Sequence, residues 1–191
     1  MSIVPFIKVS NLLQTTKCDD IINALETHLS LVGEEHSKAT VIQSNKSELQ
    51  KEIRSTEICF LPTDSSLSST FFHIVKEVNK TCKWNFDINN VESIQVLKYN
   101  VGDFYMPHMD VLAPSKTNTQ RKLTAMVWLN EPEDYEGGEF IIYPLDTDPV
   151  SLKLRKGDAV ILPSFMTHQA SEVTDGKRYS TTAWIEGPNW K

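Results

Sequence analysis

From about Asn90 onward the chain switches to short runs rich in Val, Ile, Tyr, Phe and Thr. Turn signals separate them: Asn100-Val-Gly102, Glu136-Gly-Gly138, Lys156-Gly-Asp158 and Asp175-Gly176. About eight such runs begin, near Ser93, Phe104, Arg121, Gly138, Val150, Asp158, Thr167 and Arg178. No helical period lies between them, and parallel strands need long crossover connections, so a parallel sheet is excluded. The pattern predicts an antiparallel sandwich, of which the eight-stranded jelly roll is one standard form.

The N-terminal part reads differently. Thr15 or Thr16 can cap a helix running to His28, with Ile21, Ile22, Leu25 and Leu29 at three- and four-residue steps and Asp19 and Asp20 suited to its first turn. A second helix is expected between Ser65 and Cys82, with Leu67, Phe71, Phe72, Ile74, Val75 and Val78 as its core stripe. The polar stretch Gln43 to Glu57 reads as a mobile loop with a little helix. With no repeat or low-complexity linker, residues 1–191 are expected to form one domain, 1–90 a helical support region and 91–191 the strand-rich core.

Composition narrows the partners. Lys plus Arg number 19 against 25 for Asp plus Glu, a net charge of −6, the opposite of what phosphate binding favours. No apolar run is long enough to span a bilayer. MSIVPFIKVSNLL has no basic leader and contains Pro5, so it reads as a first strand rather than a signal peptide. Cys18, Cys59 and Cys82 are odd in number and include no C-x-x-C pair, which argues against a disulfide framework and for a reducing, cytoplasmic setting. They are expected to be small core hydrophobes.

The sharpest chemical signal is His108-Met109-Asp110. In a strand, residues i and i+2 share a face, so an imidazole nitrogen and a carboxylate oxygen can reach one ion. His168, opening a run from Thr167 to Val173, is the natural third ligand. Two His and one carboxylate form the facial triad of non-haem Fe(II) oxygenases. An isolated H-x-D is weak evidence, since a partly buried His is commonly a hydrogen-bonded structural residue. The last strand adds weight: Arg178, Ser180, Thr182 and Trp184 share one face, and a guanidinium fork beside a hydroxyl suits a carboxylate. The ordinary alternative for Arg178 is an exposed strand-edge charge.

In order, Tyr99-Asn-Val-Gly102-Asp-Phe-Tyr-Met-Pro-His108-Met-Asp110, Arg121-Lys-Leu-Thr-Ala-Met-Val-Trp-Leu-Asn130, Tyr135-Glu-Gly-Gly-Glu-Phe140, Lys156-Gly-Asp-Ala-Val-Ile-Leu-Pro163, then His168 and Gly176-Lys-Arg178-Tyr-Ser, resemble the 2-oxoglutarate- and Fe(II)-dependent dioxygenases, in their prolyl 4-hydroxylase-like branch. The resemblance covers roughly the last hundred residues well, and Phe6 to Leu13 with Lys17 to Ile22 look like the family's first strand and helix. It implies a double-stranded β-helix (cupin-like jelly roll) core flanked by helices. It also implies Fe(II), 2-oxoglutarate and O2, with ascorbate as reductant. His108, Asp110 and His168 match the iron ligands, and Arg178 the cation that pairs with the distal carboxylate of 2-oxoglutarate. Tyr99, Thr182 and Trp184 match positions lining the cosubstrate pocket. Trp128 stands where some relatives have a tyrosine; indole is bulkier and has a single N–H.

The activity implied is hydroxylation of a C–H bond, with a prolyl residue of a peptide or protein as substrate and succinate and CO2 as coproducts. Phe104, Met106, Trp128 and Trp184 are expected to keep water from the reaction. The polar segments Val111 to Gln120 and Gln43 to Glu57 are candidate lids. A free amino acid or other small molecule remains an open substrate class. A nucleic-acid dealkylase on the same fold would want a basic groove and a second arginine soon after Arg178, which is missing. A non-catalytic cupin-like module usually lacks a ligand, and all are present here. His28, His36 and His73 have no partner at ligand spacing and read as structural or solvent-facing.

Overall fold

The computed structural model describes residues 4–32, 38, 41–43, 46–48, 52–61, 66–111 and 118–190. His36 and residues 112–117 of the second candidate lid lie outside them, as do 44–45 and 49–51 of the first. In chain order the elements are β1 (Ile7–Val9), α1 (Thr15–Val32), β2 (Val41–Gln43), β3 (Lys46–Glu48), β4 (Arg54–Ser55), β5 (Glu57–Leu61) and α2 (Ser66–Thr81). Then follow β6 (Asn90–Val91), β7 (Ile94–Tyr99), β8 (Phe104–His108), β9 (Thr119–Trp128), a 3-10 turn (Pro132–Asp134) and β10 (Tyr135–Gly137). The last are β11 (Phe140–Tyr143), β12 (Val150–Leu152), β13 (Ala159–Pro163), β14 (Thr167–Ala170), β15 (Val173–Gly176) and β16 (Arg178–Pro188).

The major sheet has the order β1-β13-β9-β16-β7-β5, with β6 also on β16; the minor sheet runs β12-β11-β14-β8-β4. Every pairing is antiparallel. This is the jelly-roll layout expected from the turn-punctuated pattern.

Period-two alternation decides what each face does. On β9, Leu123, Ala125 and Val127 join the cluster that contains Cys18, Ile21, Leu25 and Leu29 of α1 and Leu67, Phe71 and Val75 of α2. The intervening Met126 and Trp128 pack with Phe140, Ile142 and Leu152 of the minor sheet. All of β9 after Thr119 is therefore buried, one face under helices and the other between sheets. The same alternation turns Arg178, Ser180, Thr182 and Trp184 of β16 into the cavity between the sheets.

The sequence reading needs four corrections. Helix α1 runs four residues beyond His28, and its first turn carries no acid. Asp19 instead pairs with Lys156 at 2.5 Å. The stretch from Gln43 to Glu57 has no helix among its described residues; it supplies β3, β4 and the ends of β2 and β5. The run from Thr167 to Val173 is two strands, because Val173 leaves the minor sheet and β15 pairs with β10. Cys82 is only half-buried, whereas Cys18 and Cys59 are core residues.

Candidate metal centre and its cavity

Pairing of β8 with β14 sets His108 directly opposite His168. Asp110 lies just past the end of β8, where its backbone N–H donates to the Ser164 carbonyl at 2.9 Å. The three side chains meet: one ligand atom from each lies within 4.8 Å of the others. Asp110 Oδ1 is 3.6 Å from His108 Nε2, and Oδ2 is 3.5 Å from His168 Nε2.

Hydrogen bonds on the far side of each ring fix the tautomers. His108 Nδ1 donates to the Met106 carbonyl at 2.8 Å, and His168 Nδ1 to the Met166 carbonyl at 2.9 Å. A carbonyl can only accept, so Nδ1 carries a proton in each ring, which leaves Nε2 as the nitrogen turned toward Asp110 and available to an ion. Asp110 Oδ2 accepts from Thr124 Oγ1 at 2.8 Å, and Thr124 is 3.0 Å from Ser164 Oγ. Burial and the neighbouring His168 imidazole push His108 down to about 3, so it is neutral at working pH. Burial alone would raise Asp110, but the two imidazoles, Arg121 and the Thr124 hydroxyl hold its carboxyl below the usual range. Two imidazole nitrogens and one carboxylate, oriented before any ion arrives, fit a divalent metal.

The triad opens into a cavity between the two sheets. Arg178 reaches into it from β16 and is 2% exposed. Its Nε has no hydrogen-bond partner among the described residues, and its guanidinium carbon lies 5.0 Å from the ring centroids of both Tyr99 and Trp128. Tyr99 is its cross-strand neighbour on β7. The Tyr135 hydroxyl and Trp128 Nε1 are likewise buried without a partner. The Arg178 guanidinium and the Trp128 N–H converge beside the Tyr135 hydroxyl, with no carboxylate among them, and a carboxylate would complete the arrangement.

The structure brings His108, Asp110, His168, Arg178, Tyr99, Thr182 and Trp184 around one cavity, with Trp128 behind Arg178. It corrects the expected apolar wall. Met106 is 49% exposed and Phe104 does not line the cavity, because Tyr105 takes the inward position between them. Leu97, Met126 and Phe140 form the wall with Trp184. Sequence reading missed Tyr105, which stacks on His108 at 3.5 Å between centroids, and whose phenol burial pushes up to about 12. It also missed Arg54, Gln95 and Tyr135. Period two places Tyr105 on the face opposite His108; the register shift in the β8–β14 pairing turns both inward, which local spacing does not show.

An antiparallel double-stranded β-helix holding two histidines and a carboxylate beside a buried arginine defines a metal-dependent oxygenase layout. Comparison with known proteins agrees. Residues 94–186 match the family model of the 2OG-Fe(II) oxygenase superfamily. The chain is 37% identical over 86 residues to a PKHD-type hydroxylase of Prochlorococcus marinus (strain NATL1A), a match covering 45% of this chain and 38% of that protein. It is 36% identical over 92 residues to a PKHD-type hydroxylase of Psychrobacter sp. (strain PRwf-1), covering 46% of this chain and 35% of that one. The chain thus spans well under half the length of these curated relatives.

Among solved structures, the viral collagen prolyl hydroxylase of Paramecium bursaria Chlorella virus-1, in its 2OG complex, superposes with a TM-score of 0.69 at 22% identity, covering 95% of this chain and 96% of that one. A prolyl hydroxylase from Trichoplax adhaerens, in complex with a hypoxia inducible factor oxygen degradation domain peptide fragment, gives 0.75 at 18% identity, covering 95% and 83%. At these identities the structures speak to fold alone. Residues 94–186 thus match the 2OG-Fe(II) oxygenase superfamily model, and the fold is the one these prolyl hydroxylase structures share. The cofactors that go with this family are Fe(II) and 2-oxoglutarate, with O2 as oxidant.

Proposed function

We propose that residues 1–191 form one dioxygenase domain that hydroxylates a C–H bond of a prolyl residue in a peptide or protein, converting 2-oxoglutarate to succinate and CO2. The observation that carries this reading is the convergence of His108, Asp110 and His168 in the cavity into which Arg178 points. When bound, Fe(II) with 2-oxoglutarate and O2 supplies the oxidation, one oxygen atom entering the substrate C–H bond and the other entering succinate.

The chain's own residues bind, orient and keep the site dry. His108 and His168 give Nε2, and Asp110 gives a carboxylate oxygen, on one face of the ion. Arg178 holds the distal carboxylate of 2-oxoglutarate, replacing water it lost on burial. Tyr99 bounds that carboxylate from β7, and Thr182 and Trp184 line the pocket along β16. Leu97, Met126 and Phe140 exclude water around the reacting carbon.

Similarity to PKHD-type and prolyl hydroxylases supports the prolyl substrate. The net charge of −6 counts against a nucleic-acid substrate. Three free cysteines accord with a reducing cytoplasmic setting, and no helix among the described residues is long and apolar enough to cross a membrane. The test is succinate release, measured with Fe(II), 2-oxoglutarate and a panel of prolyl peptides and free amino acids. Release coupled one-to-one with a product 16 mass units heavier is expected for a prolyl member of the panel. Coupled release confined to non-prolyl members would overturn the prolyl assignment.

A further inference from the structure

The cavity holds a second arginine. Arg54, from β4, lines it from the side of the minor sheet and is 5% exposed. Its Nη2 donates to Gln95 Oε1 at 3.3 Å, and its guanidinium carbon lies 4.6 Å from the Tyr105 ring centroid. Its Nε is buried without a hydrogen-bond partner, and no ion pair involves it among the described residues. An amide oxygen is a weak partner for a buried cation, and an uncompensated buried charge is expensive.

Arg54 and Arg178 serve different ends of the cavity. Arg178 faces Tyr99 across β7 and β16, whereas Gln95, the partner of Arg54, sits four residues earlier on β7, about 13 Å along the strand. With its far carboxylate on Arg178 and its keto oxygen and one near-carboxylate oxygen on the metal, 2-oxoglutarate would keep a single free oxygen and no whole carboxylate for the Arg54 fork. Formal charge points the same way. Among the described residues that line the cavity, Asp110 is the sole carboxylate. With a divalent ion and dianionic 2-oxoglutarate in place, two arginines and one aspartate leave a single positive charge. That residue of charge suits a monoanion. Trp184 Nε1, also buried without an acceptor on a residue lining this cavity, is a further donor awaiting one.

We propose that Arg54, with Gln95 beside it, is a carboxylate-recognition subsite for the molecule that is oxidised. This deepens, and rests on, the oxygenase reading above: the substrate bears a carboxylate near the carbon attacked. A free amino acid and a residue at a peptide's carboxy terminus both present that group.

Binding without turnover tests it. The protein is loaded with Mn(II) and 2-oxoglutarate and titrated calorimetrically with cyclopentanecarboxylate, cyclopentanecarboxamide, L-proline, a short peptide ending in proline, and the same peptide amidated. The acids are expected to bind about 10- to 100-fold more tightly than the matching amides, the range for a hydrogen bond to a charged group. Arg54→Gln should abolish that ratio, while Arg54→Lys, which keeps the charge and loses the fork, should retain part of it. Mn(II) affinity of each variant checks that the fold and triad persist. L-proline against the peptide acid distinguishes the two sources. Equal affinity for acid and amide, no binding of any acid, or an unchanged ratio in Arg54→Gln would overturn the subsite. Arg54-dependent binding of the acids with no succinate release from any prolyl compound would instead sink the prolyl assignment and leave Arg54 standing.

Discussion

Thr124 shows how much of a metal site lies outside its ligands. Its hydroxyl donates to Asp110 Oδ2 at 2.8 Å and fixes the carboxylate between two imidazoles. Thr124→Val removes that bond at nearly constant volume. Mn(II) affinity is expected to fall about tenfold, with 2-oxoglutarate affinity at saturating Mn(II) unchanged, as calorimetry would read. Equal losses of both would mean a general distortion. At this scale His108, Asp110 and Arg178 were legible as short-range patterns, i and i+2 in the first two and an inward face of alternate residues on β16, whereas His168, 58 positions past Asp110, entered as a candidate strengthened by the family resemblance. Arg54 and Tyr135 were not legible. Arg54 reaches the cavity only because β4 pairs with β8, bringing it opposite Tyr105, 51 positions away. Tyr135 reaches Arg178 through a bulged two-strand ribbon formed with β15. No local period encodes either.

At the scale of elements, two joints hold the site. The first is the Gly137-Gly138 turn, where a Cβ on Gly138 would sit 2.9 Å from Val173 Cγ2 and 3.2 Å from Arg178 Cδ, at a φ of +61°. Gly138→Ala is therefore expected to weaken 2-oxoglutarate binding severalfold while leaving Mn(II) affinity near wild type. The second joint ties α1 to the major sheet. Lys98 Nζ lies 2.9 Å from Glu26 Oε1 and 3.5 Å from Glu57 Oε2, and the Tyr179 hydroxyl donates to Glu26 at 2.7 Å. Among the described residues, Lys98→Met leaves the buried Glu57 carboxylate with Lys38 at 4.0 Å and a hydrogen bond donated by the Asn100 side-chain amide, and should cost about 3 kcal/mol in urea denaturation. Glu26→Gln should cost under about 1 kcal/mol, because its side chain is 40% exposed and solvent screens the pair. The apolar stripes of both helices were readable from spacing. Lys98 was not, since strand alternation marks its face without naming an acidic partner on a distant helix.

For the whole molecule, the preformed site has a stability consequence. The metal-free native state holds His108 near 3, below the ordinary histidine value of about 6.5. Unfolding therefore takes up a proton between those values, so stability falls as pH drops through that window. Metal-free protein should lose up to about 2 kcal/mol between pH 6.5 and 5, and His108→Asn should flatten that slope. Above about pH 7.5 the same group contributes almost no pH dependence.

The central claim is that one cavity holds Fe(II) through His108, Asp110 and His168 and 2-oxoglutarate through Arg178. Anaerobic titration with Fe(II) and 2-oxoglutarate, following the visible iron-to-ligand charge-transfer band, tests both halves at once. The band should appear in wild type, vanish in His168→Ala, and need at least about tenfold more 2-oxoglutarate in Arg178→Ala. No band in wild type at saturating iron and 2-oxoglutarate, or a band unaltered in both variants, would contradict it.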